Sequence, residues 1–371
     1  MSVLVTGGAG YIGSHAVQAL RAAGRDVVIY DNLSAGHEAA AAAAGAPLEE
    51  GDIHDVARLR EVMAAYQVDA VMHFAAWLSV GESVKDPVGY YENNVGGALA
   101  VLRAMAESRV PHLIFSSTAA TFGNPIETPI TEDHPQRPIN AYGETKLAIE
   151  RALPHFDRAY GIRAVILRYF NAAGADPDGV LGEDHHPEEH VIPRALDAAV
   201  GRSTFAIFGD DYETPDGTCL RDYVHVADLA SAHLLALDSL QRGGPSAAYN
   251  LGNGRPTSVR EVLAAVERVT GRAVPAPVAP RRAGDPATLY ASSARIRAEL
   301  GWAPRYEEID VIVQTAWRWR EAHPQGYPDQ RPVTQRPVTQ RPATEGPATE
   351  GPMTQGPMTQ GPGTWDRGTR D

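Results

Sequence analysis

The chain of 371 residues carries a formal net charge of −13 at pH 7, and 43% of its residues are hydrophobic. Its length suggests about two globular units with a sizeable core, whereas its acidity argues against nucleic acid or anionic membranes as partners, because like charges repel. The single cysteine, Cys219, cannot form an internal disulfide. The first residues leave no room for a signal peptide, and no apolar run reaches the ~18 residues of a membrane helix. We therefore expect a cytoplasmic protein.

Short apolar runs rich in β-branched residues alternate with helix-length segments through the first half of the chain. The predicted strands are SVLVT, DVVIYD, AVMHFAA, HLIFSST and RAVILRYF, and the helical segments between them include YIGSHAVQALRAAG, VGGALAVLRAMAES and YGETKLAIERALPHF. The Ala-rich stretch EAAAAAAGAP is also predicted to be a helix. This alternation is typical of β-α-β units, which build a doubly wound parallel sheet with helices on both faces.

After Asn171 the pattern loosens into loops rich in Gly, Pro and Asp. We predict a first α/β unit over residues 1–172 and a smaller mixed α/β lobe over residues 173–328. Parts of about 216–240, such as the strand RDYVHV, could return to the first unit. From Gln330 to Thr364, seven pentapeptides such as QRPVT and EGPAT each carry Pro in third position. Because frequent proline removes amide donors and the repeats offer little to bury, we predict that residues 329–371 are disordered.

The stretch VLVTGGAGYIGSH places Gly7, Gly10 and Gly13 between the first strand and the first helix. In that position glycines permit a tight turn and let a pyrophosphate approach the free amides of the helix N-terminus. The second strand, DVVIYD, ends in Asp31. A carboxylate there accepts hydrogen bonds from the adenosine ribose and repels a 2′-phosphate. The sequence therefore predicts a Rossmann-type domain that binds NAD rather than NADP.

Near a third strand, EEGDIHD places Asp52 and Ile53 where they could border the adenine. A plain turn is the alternative for this pair.

The Gly-x-x-Gly-x-x-Gly spacing, together with NAYGETK, resembles the extended branch of the short-chain dehydrogenase/reductase superfamily. Longer stretches, notably LRYFNAAGA, GEDHHPEEHVIP and TPDGTCLRDYVHV, resemble the UDP-glucose 4-epimerase family, and the likeness runs from residue 2 to about 329. The resemblance implies interconversion of UDP-galactose and UDP-glucose: sugar C4 is oxidised by NAD, the 4-keto sugar rotates, and hydride returns to the opposite face. It also implies a homodimer built from the helices that follow the predicted strands AVMHFAA and HLIFSST, including the helix that bears Tyr142.

The same resemblance assigns the catalytic residues. Tyr142 would exchange the proton of the sugar 4-hydroxyl, and Thr118, in IFSSTAA, would hydrogen-bond the reacting oxygen. A free phenol with a pKa of ~10 is a poor base at neutral pH. Lys146 lies one helical turn after Tyr142, so we expect its positive charge to favour the phenolate, with the cationic nicotinamide as a second charge. Lys146 could also hold the nicotinamide ribose.

Binding residues are implied by position. Besides the glycines and Asp31, the cofactor would contact Tyr11, Ile12, Asn32, Asp52, Ile53, Phe74, Ala75, Asn93, Lys146 and Phe170. Phe170 would also reach the hexose end of the site. The UDP-hexose would contact Asn171, His190, Arg221, Arg282 and Asp285 in addition to Thr118 and Tyr142. The arginines suit bidentate contact with diphosphate. Leu289 would lie beside the hexose 2-substituent, while Asp222 and His225 look structural.

The sequence also departs from the family pattern. Leu78 replaces a lysine of some members, Phe122 replaces a tyrosine, and His190 replaces an asparagine. His185, His186 and His190 form an H-H-x-x-x-H run that could hold a metal, but we expect a polar loop and no metal.

Three other functions compete with the 4-epimerase of UDP-glucose. A 4,6-dehydratase would need carboxylates directly after Thr118, where Ala119 and Ala120 stand. A non-catalytic NAD-binding regulator would typically lose Tyr142 or Lys146, and both are present. A UDP-N-acetylglucosamine 4-epimerase, or another epimerase of nucleotide sugars, stays open.

Overall fold

A parallel sheet forms the centre of the computed structural model, which describes residues 2–282 and 286–328. The strands of the described part are β1 Ser2–Thr6, β2 Asp26–Asp31, β3 Leu48–Glu50, β4 Val68–His73, β5 His112–Thr118, β6 Arg163–Tyr169, β7 Asn171–Ala173, β8 Ile207–Phe208, β9 Leu220–Arg221, β10 Tyr223–His225, β11 Ala247–Leu251, β12 Thr257–Ser258, β13 Val278–Ala279 and β14 Thr288–Leu289. Seven of them pair side by side in the order β11-β6-β5-β4-β1-β2-β3. All neighbours in this sheet are parallel.

Helices cover both faces of this sheet. In the described residues they are α1 Tyr11–Ala22, α2 Glu38–Ala44, α3 Val56–Ala65, α4 Val80–Lys85, α5 Pro87–Tyr90, α6 Gly97–Ser108, α7 Ala141–Tyr160, α8 Val191–Ala199, α9 Val226–Gln241, α10 Val259–Thr270, α11 Ala294–Leu300 and α12 Ile309–Ala322. A π-helix spans Tyr91–Gly96 and a 3₁₀ turn spans Ala119–Thr121. The predicted Ala-rich helix is confirmed as α2.

The alternation of side chains along each strand explains the two layers. Val3 and Val5 of β1 join the core under α1, α2 and α9, whereas Leu4 joins the core under α3, α6 and α7. Successive strand residues point to opposite faces, so a strand that is apolar throughout is buried on both sides. The predicted doubly wound α/β fold is confirmed. From β1 the strand order runs outward through β2 and β3 on one side and through β4, β5 and β6 on the other. The switch point between β1 and β4 opens a crevice for a dinucleotide.

Later parts of the chain return to this sheet. Helix α9 contributes Leu229, Ala232 and Leu237 to the core under α1, and β11 pairs with β6 at the edge. Helices α8, α10 and α12 enclose a separate core. Short sheets accompany that core, in the strand orders β10-β7, β12-β9-β14 and β13-β8. The division into residues 1–172 and 173–328 stays a prediction.

Two sequence-based expectations fall on residues outside the described part. The predicted disordered tail, 329–371, is one, and the substrate contact assigned to Asp285 is the other. Among the described residues, no helix is both long and apolar enough to cross a membrane.

Several histidines are buried where a charge is unfavourable. Burial lowers the pKa of His225 to about 3 and that of His233 to about 4. His233 donates from Nδ1 to the carbonyl of Leu229 at 2.8 Å, and its Nε2 is buried without a hydrogen-bond partner in the described residues. The folded chain therefore holds His233 in the neutral form.

We predict that replacing His233 with Leu makes the free energy of unfolding depend less on pH between pH 7 and pH 5. The unfolded chain takes up a proton near the ordinary histidine pKa of ~6.5, whereas the folded chain refuses it until about pH 4. The contribution of neutral His233 to the free energy of unfolding is fully present above pH ~6.5. It is lost as the pH falls, and the loss reaches about 2 kcal/mol at pH 5. Urea unfolding at pH 7 and pH 5 measures the difference. The exposed His155→Gln variant should keep the parental slope, and an equal slope in His233→Leu would contradict the prediction.

Candidate active site

The glycine loop between β1 and α1 is tightly packed. Gly7 adopts φ +74°, and a Cβ built on it would lie 2.5 Å from the backbone nitrogen of Ala75. A Cβ on Gly13 would overlap the carbonyl oxygen of Gly7. Helix α1 starts after Gly10 without a side-chain cap. The first-turn amides, including those of Tyr11 and Ile12, therefore lack intrahelical partners and suit an anion such as a pyrophosphate.

Asp31 lies at the end of β2 beside this loop. Its Oδ2 accepts from the Ala9 N–H at 3.0 Å and its Oδ1 from the Leu33 N–H at 2.9 Å. Burial raises the pKa of this carboxyl, and the two backbone donors partly oppose the rise. Each carboxylate oxygen keeps a further lone pair, so the side chain can still accept from ribose hydroxyls.

The residues expected near the adenine meet at the same edge. Asn32 donates from Nδ2 to Asp52 Oδ2 at 3.1 Å, and Tyr30 donates its hydroxyl to the Asp52 carbonyl at 2.9 Å. Ile53 is buried in the core that contains Leu59 of α3 and Val101 of α6. The structure thus joins Asn32, Asp52 and Ile53 at the carboxyl ends of β2 and β3.

Phe74 and Ala75 follow β4 at the switch point. Their backbone amides both donate to the Thr6 carbonyl, at 2.9 and 3.1 Å. Thr6 is the last residue of β1, which lies beside β4. Phe74 also packs its ring on buried His233, with 4.8 Å between ring centroids. These residues therefore border the crevice opened by the switch point.

Asn93 lies in the π-helix that precedes α6, a kind of element that often accompanies functional sites. Its amide donates to Asn94 Oδ1 at 2.9 Å. Asn94, which the sequence analysis missed, is fully buried. Its Oδ1 also accepts from Trp77 N–H at 2.8 Å, and its Nδ2 donates to the Trp77 carbonyl and to Thr145 Oγ1. Asn94 thereby ties the π-helix to the loop after β4 and to α7.

Tyr142 and Lys146 lie on one face of α7, which is capped by Asn140 through its 2.8 Å bond from the Gly143 N–H. The Lys146 ammonium is buried and donates to the Ser116 carbonyl at 2.9 Å. Burial lowers the pKa of Lys146 to about 8, and Glu150 opposes that shift.

Burial raises the pKa of Tyr142, and a hydrogen bond with Thr118 only partly opposes the rise. Loss of solvation therefore outweighs this hydrogen bond. That the charges of Lys146 and the nicotinamide favour the phenolate stays a prediction. The placement of Thr118 beside Tyr142 nevertheless agrees with the predicted arrangement.

A buried ion pair that the sequence analysis also missed lies under α7. Glu150, one turn after Lys146, accepts from Arg168 Nη2 at 2.7 Å, from Ser117 Oγ at 2.5 Å and from Gln136 Nε2 at 2.9 Å. Its spacing of four from Lys146 was the available signal. Buried charges persist only when they are paired and hydrogen-bonded, so this network fixes α7 on β5 and β6.

The residues expected at the hexose end belong to or pack against an apolar cluster. This cluster consists of Phe170, Ala119, Phe122, Ile130 and Ala291, and Leu289 packs against it. Leu289 of β14 pairs in register with Arg221 of β9. Arg221 donates to the carbonyls of Leu220 and Pro286, both at 2.9 Å. Phe122 is fully buried, as the expected ring packing requires, whereas Leu78 is exposed.

Two further predicted substrate residues lie in different parts of the chain. Asn171 begins β7 and donates its backbone N–H to the Asp222 carbonyl at 3.0 Å. Arg282 is exposed and places its guanidinium 3.9 Å from the ring centroid of Phe208.

Asp222 and His225 have structural partners, as expected. The buried Asp222 carboxylate accepts from the backbone amides of Asn253, Gly254 and Ala291. His225 Nδ1 accepts from the Ala227 N–H at 3.1 Å, and its Nε2 lies 3.0 Å from Thr315 Oγ1.

His190 immediately precedes α8 and bonds the buried Glu183 through Nδ1. Burial lowers the pKa of His190, but Glu183 reverses the effect and raises it to about 9. Nearby, the Tyr11 ring meets the His185 ring edge-on, with 6.1 Å between centroids, and Tyr11 donates its hydroxyl to the Gly174 carbonyl at 2.6 Å. The expected substrate loop therefore contacts the start of the cofactor helix.

This arrangement defines a Rossmann-type enzyme of the NAD-dependent class, with the Tyr-x-x-x-Lys pair at the carboxyl ends of the central strands. The sequence model described as the NAD dependent epimerase/dehydratase family matches residues 3–252, and the chain belongs to that family.

Individual relatives are similar over most of their length. The chain is 52% identical over 328 residues to a UDP-glucose 4-epimerase of Halalkalibacterium halodurans, covering 88% of this chain and 98% of the relative. The crystal structure of UDP-glucose 4-epimerase from Brucella ovis in complex with NAD is 53% identical with a TM-score of 0.83, covering 85% of this chain and 97% of that one. The UDP-Glc/GlcNAc 4-epimerase of Campylobacter jejuni is 38% identical with a TM-score of 0.76, covering 86% and 99%.

We predict that Asn94→Ala destabilises the fold by about 2–4 kcal/mol, because the Asn94 side chain makes four hydrogen bonds, and each is worth ~0.5–1.5 kcal/mol. These bonds join Asn94 to Trp77, Asn93 and Thr145. Urea unfolding measures the loss. The exposed neighbour Glu92→Ala serves as the control, and a loss as small as that of the control would show that Asn94 is not a structural tie.

Proposed function

We propose that this chain is an NAD-dependent isomerase that interconverts UDP-galactose and UDP-glucose at sugar C4. The observation that carries the proposal is the meeting of the glycine cradle and the Tyr142–Lys146 pair at the carboxyl ends of β1, β4 and β5. The 52% identity to a UDP-glucose 4-epimerase over nearly its whole length supports it. We also propose a cytoplasmic location, where a free thiol such as that of Cys219 stays reduced.

The residues present fit NAD. Side chains at Gly7 or Gly13 would collide with the backbone of the loop and of the segment after β4, so glycine keeps the tight turn that brings the N-terminus of α1 to the crevice. Asp31 offers acceptors for a ribose. When bound, NAD supplies the acceptor and donor of the C4 hydride. The glycine loop, α1 and Asp31 would hold it, and Asn93, Phe74 and Ala75 would also contact it.

Tyr142 carries the proton step. Its phenolate oxygen would take the proton of the sugar 4-hydroxyl during oxidation, and the resulting hydroxyl would return that proton to the 4-oxygen when hydride returns after rotation. Because burial raises the pKa of Tyr142, the phenolate needs positive charge nearby. Lys146, with a pKa of about 8, is mostly charged at neutral pH and is held beside the site by the Ser116 carbonyl. Thr118 orients the reacting oxygen.

Rotation of the 4-keto sugar requires a firm grip on UDP and a loose grip on the hexose. Asn171, His190, Arg221, Arg282 and Asp285 would hold the nucleotide. The hexose would lie over the apolar cluster of Phe170 and its neighbours, which has few polar groups to fix one sugar face. A strong polar contact to the ring would hinder turnover between the two faces.

A 4,6-dehydratase is disfavoured by the local structure. Elimination of water needs an acid and a base near C5 and C6, and Thr118 is followed by a 3₁₀ turn that consists of Ala119, Ala120 and Thr121. A regulator without catalysis is disfavoured by the intact Tyr142–Lys146 pair.

We predict that Tyr142→Phe retains bound NAD but lowers turnover by ~10²–10⁴-fold, the usual contribution of a positioned proton transfer. Product formation from UDP-galactose is followed by chromatography, and NAD content by its release on denaturation. Tyr160→Phe, at the exposed end of the same helix, is the matched control and should behave as the parent. Parental turnover in Tyr142→Phe would remove this residue from the proposed mechanism.

In the proposed site, Leu289 determines which substituents at sugar C2 the enzyme accepts. A bulkier tyrosine at this position is associated with members confined to UDP-glucose and UDP-galactose, and Leu289 leaves room beside the sugar 2-substituent. A buried N-acetyl amide without partners would cost about 1–3 kcal/mol, so we expect measurable but weaker turnover of UDP-N-acetylglucosamine. The solved UDP-Glc/GlcNAc 4-epimerase of similar fold supports this second substrate.

We predict that Leu289→Tyr removes N-acetylhexosamine turnover and keeps that of UDP-galactose. Leu289→Met, of similar volume, should keep both activities. Parallel assays of the three proteins on both substrates decide the matter. Absence of N-acetyl turnover in the parent, or its full retention in Leu289→Tyr, would show that Leu289 is not the gate.

We propose that the chain forms a homodimer. Exposed apolar side chains concentrate between residues 78 and 99, on α4, α5, the π-helix and α6: Leu78, Val80, Val84, Val88, Tyr91 and Leu99. Tyr91, Val95 and Leu99 are spaced by four residues, which places them on one helical stripe. Contiguous exposed apolar surface of this kind marks an interface.

We predict that Leu99→Lys converts the dimer to a monomer, because a lysine at the centre of an apolar interface must lose hydration without a partner. Light scattering after size exclusion gives the mass. Val278→Lys, at an exposed valine remote in sequence from this stripe, is the control. A monomeric parent, or a dimeric Leu99→Lys, would overturn the proposed interface.

A further inference from the structure

Four side chains that can coordinate a metal converge in the loop between β7 and α8: Glu183, His185, Glu188 and His190. Each offers one ligand atom, and these four atoms all lie within 4.8 Å of one another. Glu183 is buried and the other three are half-buried. All four residues come from one short segment, residues 183–190, in which their spacing is E-x-H-x-x-E-x-H.

The separations approach those of a coordination shell. His185 Nδ1 lies 3.2 Å from Glu183 Oε1 and 3.9 Å from Glu188 Oε2, and His190 Nδ1 lies 3.7 Å from Glu188 Oε1. Four ligands at ~2.0–2.1 Å from a tetrahedral ion are about 3.4 Å apart. Small side-chain rotations would therefore bring these atoms onto a common centre.

Two of the atoms have no other use within the described residues. His185 Nδ1 and Glu188 Oε2 are buried and lack hydrogen-bond partners there. His185 Nδ1 lies near Glu183 Oε1, which is already hydrogen-bonded to Nδ1 of His190. The buried and unpartnered atoms of His185 and Glu188 are what a shared ligand would satisfy.

In contrast to the expectation of a metal-free loop from the sequence, we propose that these four residues bind one divalent cation of the Zn²⁺ class. Two imidazole nitrogens favour Zn²⁺ over Mg²⁺ or Ca²⁺, which take oxygen ligands. Two carboxylates neutralise its charge. Four protein ligands close a tetrahedral shell, which is typical of a structural rather than a catalytic ion.

The ion would stabilise the junction between the cofactor helix and the substrate loop. His185 meets the Tyr11 ring at the start of α1, and His190 immediately precedes α8. Helix α8 is in turn attached to α12, because Arg320 of α12 pairs with Asp197 of α8. If Nδ1 of His190 ligates the ion, Nε2 stays available for the substrate diphosphate, a contact that rests on the proposed function. The ion site itself rests on the four side chains alone.

The test measures metal directly. The full chain is prepared without a histidine tag, stripped with a chelator, and titrated with ZnCl₂ by calorimetry, with stoichiometry checked by elemental analysis. Residues 329–371 contain neither histidine nor cysteine, so the tail supplies no competing ligand of that kind. We expect one Zn²⁺ per chain, a raised melting temperature, and the visible absorption of tetrahedral Co²⁺ when Co²⁺ is used instead.

Variants locate the site. His185→Ala should weaken Zn²⁺ binding by more than the ~10–100-fold that loss of an outer-shell partner costs, and Glu188→Gln, which keeps the side-chain shape, should do the same. His186→Ala is the matched control, because His186 is exposed and does not belong to the four. Circular dichroism and NAD content confirm folding.

Absence of Zn²⁺ binding in the parent, or equal affinity in His185→Ala, Glu188→Gln and His186→Ala, would overturn the proposal. Zn²⁺ binding in a chain that does not epimerise UDP-galactose would overturn the proposed function and leave the metal site intact.

Discussion

The close approach of the glycine loop to the start of α1 is the constraint on which the site depends. Gly13 sits so near the Gly7 carbonyl that any side chain there would overlap it, and Gly7 itself touches the backbone after β4. This contact draws the N-terminus of α1 onto the switch point between β1 and β4. The free first-turn amides then face the crevice, and Ala9 comes within reach of Asp31. The placement of Tyr11 against Gly174 follows from the same helix position.

Much of this could be predicted from local sequence. Strands that are apolar throughout, glycines at a fixed place and an acid at the end of β2 each follow from short-range rules, so the parallel sheet and the cofactor edge were predictable. The return of β11 to the edge of the sheet was not, because its pairing with β6 joins segments about 80 residues apart and has no local signal. Asn94 and the Glu150–Arg168 pair were missed for a related reason. A polar residue at a buried position looks like a surface residue until its partners from other elements are known.

The catalytic pair shows the limit of spacing as an argument. Four residues of separation on a helix place Tyr142 and Lys146 on one face, and the structure has them there. The sign of the Tyr142 pKa shift depends instead on how far the phenol is removed from water, which spacing does not determine. Burial acts on both groups, since it also lowers the pKa of Lys146. Glu150 opposes that effect, so the charge of Lys146 is maintained by a carboxylate one turn further along the same helix.

The two ends of the substrate site therefore differ in kind. Around Tyr11, Glu183 and His190 the chain concentrates charged and hydrogen-bonding groups, and their geometry is fixed by several partners at once. Around Phe170 and Leu289 the surface is apolar and offers mainly shape. In the proposed site, a molecule with a charged diphosphate at one end and a neutral sugar at the other would be held firmly at the first and loosely at the second. Since apolar contact is non-directional, both faces of the sugar can be accepted at nearly equal free energy. That equality is the physical requirement for a reaction that removes a hydride from one face and returns it to the other.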